Sequence, residues 1–217
     1  KIKNGYYDNT LWVDSAAADN FAYIYFYPAG DLDGDGRYEL IVHMTGIGKD
    51  NSFTGLTDPP VFQAYTLDGT FLWEINLGKN IREGAHYTQF MVYDLDGDGK
   101  AEIAMKTGDG SVDGKGNVIG DSTKDWRNEK GYILSGPEYL SVFNGLTGEV
   151  IHTTDYISPR HGKLNPTTDK LKTMWGDGYG NRMDRFLACV AYLDGVHPSL
   201  IMCRGYYTRT ILAAWDL

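Results

Sequence analysis

The 217-residue chain lacks long apolar runs, because its hydrophobic residues, 42% of the total, are scattered in short groups. This pattern excludes a membrane-spanning helix, which needs about 20 consecutive apolar residues. Positive charge is also scarce: Lys and Arg total 20 against 29 Asp and Glu, which gives a formal charge of −9. We therefore expect neither a membrane span nor a nucleic-acid partner, since binding to phosphates requires a basic surface.

Cysteine is equally scarce, and the sequence contains no zinc spacing, Cys/His catalytic motif, nucleophile elbow or phosphate loop. The two cysteines suit neighbouring strands of a hairpin. If Leu193 faces Ser199, then Cys189 faces Cys203, within reach of a disulfide at a non-hydrogen-bonded pair. A disulfide would agree with secretion, and two buried free thiols are the alternative.

Glycine and tyrosine are abundant, at 27 and 16 residues. This composition favours many short strands joined by tight turns over long helices.

An internal repeat is the strongest signal along the chain. The segment Gly30–Val42 returns 63 residues later as Tyr93–Met105, and a weaker copy that has lost most of its acidic residues occupies Tyr192–Met202. An apolar strand, a turn and a second strand follow the first two copies, at Phe62–Trp73 and Leu140–Ile151. Each unit therefore predicts a meander of four short strands.

Units of this kind predict an all-β fold, specifically a partial β-propeller whose blades are four-stranded antiparallel meanders. A sandwich explains the repeat less well, because propeller blades bury their faces against similar neighbours. The chain starts at Lys1 without a Met leader and ends in a strand-like segment, so we expect residues 1–217 to be N-terminal blades of one longer propeller domain. Two long excursions, Gly108–Gly136 and Ser158–Gly180, read as functional or disordered loops.

The first two repeats each carry carboxylates at alternate positions, two glycines and a closing glutamate. Alternate spacing on a tightly turning backbone aims the carboxylates at one point, and the glycines take the strained dihedrals. An oxygen cage supplied wholly by protein favours Ca²⁺ over Mg²⁺. The predicted ligands, with carbonyls at Arg37 and Lys100, are Asp31, Asp33, Asp35, Arg37 and Glu39, and Asp94, Asp96, Asp98, Lys100 and Glu102.

These loops are not EF-hands, because position twelve is Val42 or Met105 rather than glutamate. Solvated Asp–Gly turns without metal are the alternative. If calcium binds, a structural role in bracing the strands is favoured over a catalytic one.

Aligning the repeats indicates which residues occupy equivalent strand ends. His43 matches Lys106, and Tyr25 matches Thr88 near His86. Because equivalent ends of propeller strands converge around the central axis, one cleft is expected there. Its candidate substrate-binding residues are His43, His86, Lys106, Arg204 and Tyr206. Cationic and imidazole groups in an acidic protein suit an anionic ligand such as a uronate.

Several stretches carry a family resemblance that covers most of residues 65–217. They are Asn76–Asp94, Lys106–Gly110, Leu134–Leu140, Gly176–Phe186 and Arg204–Tyr207. In these stretches the sequence resembles the rhamnogalacturonan lyases built on an eight-bladed propeller, polysaccharide lyase family eleven.

The resemblance implies a secreted, calcium-dependent enzyme that cleaves the rhamnose–galacturonate backbone of rhamnogalacturonan I, an anionic plant cell-wall polysaccharide. In this β-elimination a base removes the C5 proton, a cation or an Arg or Lys stabilises the enolate, and O4 leaves. The family's proton-handling residues lie in later blades. The chain alone is therefore expected to be an inactive fragment, and its catalytic residues stay unknown.

Two positions depart from the family pattern. Tyr25-Phe26 stands where members usually carry Asn-Asp, and Met44-Thr45 where they carry Trp-Asp. These changes favour an alternative, a non-catalytic calcium-stabilised propeller that binds cell-wall polysaccharide or a surface partner. A lyase with changed preference between endo and exo cleavage is a further possibility.

Overall fold

The computed structural model describes residues 28–44, 46–161 and 167–217. In this part of the chain, three antiparallel sheets and one helix confirm the all-β prediction. None of the described helical residues forms a segment long and apolar enough to cross a membrane. Tyr25, Phe26 and Thr45 lie outside the described residues.

The strands are short, as the glycine-rich composition predicts. In chain order they are β1 (Ala29–Gly30), β2 (Glu39–Met44), β3 (Val61–Tyr65), β4 (Phe71–Asn76), β5 (Phe90–Tyr93), β6 (Glu102–Thr107), β7 (Ser111–Val112), β8 (Val118–Ile119), β9 (Tyr139–Phe143), β10 (Val150–Asp155), β11 (Phe186–Ala191), β12 (Ser199–Arg204) and β13 (Ile211–Trp215).

The three sheets follow chain order closely. Their strand orders are β1-β2-β3-β4-β7-β8, β10-β9-β6-β5 and β11-β12-β13. Among the residues described, the second sheet is the four-stranded meander that the repeat predicts, and the first sheet contains such a meander in β1-β2-β3-β4. The first sheet gains the hairpin β7–β8 from the excursion Gly108–Gly136, and the second excursion contains helix α1 (Thr168–Trp175). Both excursions thus hold regular structure that the loop interpretation missed.

Helix α1 has a capping residue at each end. Thr167 accepts a hydrogen bond from the Lys170 amide at 3.4 Å and caps the N-terminus. Gly176, with a φ of 87°, ends the helix in the left-handed conformation. Leu171 and Trp175 are its buried residues, so one face packs onto the protein.

Apolar residues between successive sheets form the core. One cluster includes Ile41 and Phe62 of the first sheet with Ile103 and Phe143 of the second. Another joins the second sheet to the third, with Leu140 among its members. The second sheet therefore packs against the first sheet on one side and against the third on the other.

Gly145, in the turn after β9, closely approaches both Trp73 of the first sheet and Ala101, which precedes β6 of its own sheet. Its carbonyl accepts a hydrogen bond from Trp73 Nε1 at 2.7 Å. A Cβ at this position would lie 1.9 Å from the Ala101 carbonyl oxygen. Only glycine fits there without moving the backbone.

The first strands of the three sheets are neighbours, because β5 contacts both β1 and β11. The strands β2, β6 and β12 run antiparallel beside these three. The loops 31–38, 94–101 and 192–198 therefore share one edge of the sheets, here called the loop edge. The opposite edge, where β2, β6 and β12 end, is called the far edge.

The register of the third sheet corrects the predicted cysteine pairing. Ala191 rather than Leu193 faces Ser199, so Cys189 faces Ile201. The hairpin loop is longer than predicted, and this moves the pairing by two residues. Both thiols are free, with Cys189 exposed and Cys203 half-buried, so neither directly opposed nor fully buried cysteines occur.

Candidate functional site

Three carboxylates converge in each of the first two loops of the loop edge. In each group, carboxylate oxygens from all three residues lie within 4.8 Å of one another. The groups are Asp31, Asp33 and Glu39, and Asp94, Asp96 and Glu102. Hard oxygen donors gathered in this way match the ligand preference of calcium.

Local hydrogen bonds fix the shape of these loops. The Asp31 carboxylate accepts from the Gly34 amide at 2.7 Å and from the Gly36 amide at 2.8 Å. Both glycines have positive φ, 81° and 86°. Asp94 repeats this arrangement in the second loop. The turn chemistry is thus encoded in consecutive residues.

The closing glutamates lie deeper than the aspartates. Glu39 and Glu102 are buried and accept hydrogen bonds from the amides of Leu32 and Leu95, at 2.9 and 2.8 Å. Burial raises the pKa of Glu102 to about 7, and the neighbouring aspartates add to the effect. Burial also raises the pKa of Glu39. A cation among these carboxylates would favour their ionised forms.

The other predicted ligands lie outside the two carboxylate groups. Asp35 and Asp98 accept hydrogen bonds from the amides of Arg37 and Lys100, each at 2.8 Å. Ligation by these aspartates and by the Arg37 and Lys100 carbonyls therefore stays a prediction.

The third loop, 192–198, has a different composition at the same place in the fold. Asp194 accepts from the His197 amide and bonds its imidazole Nδ1, both at 2.7 Å. A groove of about 720 Å³ joins all three loops, and the hydroxyls of Tyr93 and Tyr192 meet across it at 2.9 Å. The three repeats are therefore equivalent in position, whereas only two gather three carboxylates.

A buried cluster of five charged side chains lies at the far edge. Glu138 is its centre: its Oε1 lies 2.9 Å from Lys106 Nζ and 3.2 Å from Arg160 Nη2, and Arg204 Nη1 donates to its Oε2 at 2.8 Å. Arg204 Nη2 also lies 3.3 Å from Asp184 Oδ1. We call these residues the charge cluster. Their side chains are at most 9% exposed, and the Arg204 side chain is 0% exposed.

The pKa values in the charge cluster follow from burial opposed by charge. Burial alone would raise the pKa of Glu138, but Arg160, Arg204 and Lys106 together hold it well below its usual range. For Asp184 burial prevails over the cations and raises the pKa. Burial likewise lowers the pKa of Lys106. Glu138 is thus the carboxylate that the three cations keep ionised.

Two of the predicted substrate-binding residues, Lys106 and Arg204, belong to this cluster. Lys106 Nζ lies 4.8 Å and the Arg204 guanidinium 5.0 Å from the centre of the Phe186 ring. The structure does bring them together, as the repeat alignment predicts. However, their polar atoms bond to buried protein groups rather than facing solvent, and one of these bonds joins Arg204 to the Ser158 carbonyl. In this arrangement they hold the loops of the far edge in place.

Their partners Glu138, Arg160 and Asp184 were missed as functional candidates. Glu138 and Asp184 fall within the family stretches Leu134–Leu140 and Gly176–Phe186, which is the signal that points to them.

His43 is also buried, at the end of β2. Its Nε2 lies 2.8 Å from Glu83 Oε2, and its ring stacks on Phe62 with 4.5 Å between ring centres. The Lys49 amide donates to the Glu83 carbonyl at 3.1 Å. His43 therefore fixes the segment that precedes β5.

The accessible part of the far edge contains His86 and Tyr206 instead. His86 is half-buried, and burial together with the charge of Arg185 lowers the pKa of its imidazole. Arg185 Nη2 lies 3.7 Å from Asp50 Oδ1. Tyr206 is 51% exposed. The five predicted substrate residues thus divide into three buried and two accessible ones.

Known proteins match the chain closely. Residues 14–217 match the family described as rhamnogalacturonan lyase family 11, C-terminal domain. Over 188 residues, or 86% of the chain, it is 65% identical to the rhamnogalacturonan exolyase YesX and 60% identical to the rhamnogalacturonan endolyase YesW, both from Bacillus subtilis. Those residues make up 29% of each relative.

Solved structures agree with the sequence comparison. The crystal structure of exotype YesX superposes with a TM-score of 0.83 at 62% identity, over 89% of this chain and 31% of that one. A rhamnogalacturonan lyase from Bacillus licheniformis gives 0.83 at 58% identity, over 89% of this chain and 32% of that one. The chain thus spans about a third of the length of these relatives, and it belongs to rhamnogalacturonan lyase family 11.

Proposed function

We propose that this chain is part of a rhamnogalacturonan lyase, which cleaves the rhamnose–galacturonate backbone of rhamnogalacturonan I by β-elimination. The observation that carries the proposal is the 65% and 60% identity to an exolyase and an endolyase of that polysaccharide. Because the chain resembles both to a similar degree, identity alone favours neither endo nor exo cleavage.

The three sheets are proposed to be successive blades of a β-propeller. Their first strands β1, β5 and β11 come together, and their equivalent loops share one groove. This is the arrangement expected when blades surround an axis, with further blades supplied by residues outside this chain. The far edge is then the substrate face, because accessible His86 and Tyr206 lie there.

Calcium is the proposed cofactor, held by the two carboxylate groups of the loop edge. The support is the oxygen-only donor set, repeated in two loops with the same geometry. Its proposed role is structural, since the charge cluster and the accessible histidine lie at the opposite edge. Secretion is the proposed location, because an extracellular site provides both calcium and cell-wall substrate.

The test uses the full-length protein with rhamnogalacturonan I. β-Elimination creates an unsaturated uronate, whose ultraviolet absorbance is followed in calcium and in chelator. Growth of absorbance that depends on calcium supports the lyase. If the absorbance of a folded, calcium-loaded sample does not grow, the lyase proposal is contradicted and the alternative, a propeller that binds polysaccharide without cleaving it, is favoured. The specific support for this alternative is Met44 at the end of β2, where the family usually carries Trp.

A further inference from the structure

Tyr207 has an unusual backbone conformation. Its φ is 68°, and it is the only non-glycine residue with positive φ in the described part of the chain. The Thr208 amide donates to the Tyr206 carbonyl at 2.9 Å, so Tyr207 is the central residue of a γ-turn. A γ-turn with positive φ is rare and strained, and a bulky residue there is an outlier.

The surrounding structure holds this strained turn from both sides. The Gly205 amide donates to the Arg185 carbonyl at 2.8 Å, and the Tyr206 amide donates to the Arg182 carbonyl at 3.0 Å. Thr208 Oγ1 donates to the Trp175 carbonyl. Strain of this kind persists only where neighbouring contacts enforce it, and it concentrates at functional sites.

Burial does not explain the tyrosine, because Tyr207 is 71% exposed. Instead its ring is oriented by a cation: the Arg185 guanidinium lies 5.4 Å from the ring centre. Arg185 is itself fixed by hydrogen bonds to the backbone and side-chain oxygens of Asn181, both at 2.8 Å. The far edge therefore presents an exposed aromatic ring that Arg185 contacts and that a strained backbone carries.

We propose that Tyr207 is a sugar-binding platform, which stacks on the apolar face of a deoxyhexose of the polysaccharide. An exposed, oriented aromatic ring offers a flat surface to the C–H groups of a pyranose, and the methyl group of a 6-deoxy sugar adds apolar area. Arg185 is a positioning residue that holds the ring. This inference rests on the proposed function, since it assigns one sugar of the same substrate.

The test compares kinetics on rhamnogalacturonan I in the full-length protein. Tyr207→Ala is expected to raise KM at least tenfold with little change in kcat, because stacking acts equally on substrate and transition state. Tyr207→Trp keeps KM near that of the wild type. Phe71→Ala on β4 is the matched control, since it removes an aromatic side chain that is 52% exposed, and it leaves KM unchanged.

Tyr207→Gly separates binding from folding. Glycine relieves the strain, so the melting temperature stays the same or rises while KM increases as in Tyr207→Ala. A purely structural tyrosine gives the opposite result, a lower melting temperature with wild-type KM, and that result overturns the proposal. Arg185→Ala raises KM, and Arg185→Lys, which retains a cation near the ring, partly restores it.

Affinity electrophoresis in gels containing rhamnogalacturonan I distinguishes the two proposals. If the wild type shows no lyase activity, the lyase proposal fails. The platform proposal still holds if the gel retards the migration of the wild type but not that of Tyr207→Ala. If the wild type cleaves and Tyr207→Ala has wild-type KM and retardation, the platform fails and the lyase stands. Polygalacturonate lacks rhamnose. If a polygalacturonate gel retards the protein as strongly as a rhamnogalacturonan I gel does, the assignment of the platform to a deoxyhexose is overturned.

Discussion

The loop edge and the far edge use the same charged residue types in opposite ways. At the loop edge, the Asp31 carboxylate accepts hydrogen bonds from amides three to five positions ahead, and the aspartates of the first two loops are exposed or half-buried. At the far edge, Arg204 bonds Glu138 at a distance of 66 positions in sequence, and both are buried. The difference teaches that local spacing organises the charges of the loop edge, including the buried Glu39 and Glu102, whereas the charge cluster depends on which distant segments the fold brings together.

The two edges also balance charge differently. Each of the two carboxylate groups at the loop edge gathers three acidic side chains with no cation among its members, so each would gain from a bound metal ion. The charge cluster contains three cations and two carboxylates and supplies its own neutralisation. We therefore expect the loop edge to respond to solution conditions and the far edge to respond to mutation.

The largest effect is expected at the centre of the charge cluster. Glu138→Gln leaves Lys106, Arg160 and Arg204 without their shared carboxylate, and the free energy of unfolding should fall by about 3–5 kcal/mol. Chemical denaturation of the full-length protein measures it. The control is Glu149→Gln, an exposed carboxylate whose loss should matter little.

This effect should depend on pH. Because the pKa of Glu138 is lowered in the fold, its contribution to stability is present above its unfolded value, about 4.3, and is lost as pH falls through the folded value. The gap between wild type and Glu138→Gln should therefore narrow below about pH 4. A stability difference that did not change with pH, or that was below about 1 kcal/mol at pH 7, would contradict the inference that Glu138 is the ionised centre of the charge cluster.

Calcium removal should give the next largest effect, at the loop edge. A site with calcium at 100 times its Kd gains about 2.7 kcal/mol of stability, so chelator should lower the melting temperature. Asp33→Asn and Asp96→Asn should each remove part of this dependence, one loop at a time. Asp194→Asn in the third loop is the matched control and should leave the dependence intact. A melting temperature indifferent to calcium would sink the metal assignment.

Gly97→Ala tests whether the loops are encoded locally. A Cβ at Gly97 meets nothing within 4 Å, so the only penalty is that of its φ of 81°. We expect a loss of about 1 kcal/mol, together with weaker calcium binding measured by calorimetry. If stability and calcium affinity were both unchanged, the turn would not require glycine at this position.

The smallest effect should come from an exposed ion pair. Arg37 and Asp35 lie 3.7 Å apart at the loop edge, and the Arg37 side chain is 82% exposed. Arg37→Ala keeps the backbone carbonyl proposed as a ligand and should be indistinguishable from wild type in unfolding and in calcium binding. A measurable loss of stability or of calcium affinity would mean that exposed ion pairs contribute more, relative to the charge cluster, than we infer.

The sequence predicted that three carboxylates converge in each of the first two loops, because the hydrogen bonds that shape each loop join residues within nine consecutive positions. It predicted Lys106 and Arg204 as neighbours but missed Glu138 and Asp184 beside them. It also misjudged the cysteine register, since the length of the loop before Ser199 decides which residues of β11 and β12 face each other. One hairpin and one helix within the long excursions escaped detection because two-residue strands and an eight-residue helix leave almost no periodic pattern.

By itself the sequence determined the all-β class, the repeat and the two carboxylate groups. Each of these can be predicted from residue types and their spacing along the chain. The tertiary structure alone decided that Lys106 and Arg204 are buried around Glu138, and that Tyr207 stays exposed over Arg185. Burial and charge pairing at those positions come from the packing of segments far apart in sequence, and no local pattern encodes them.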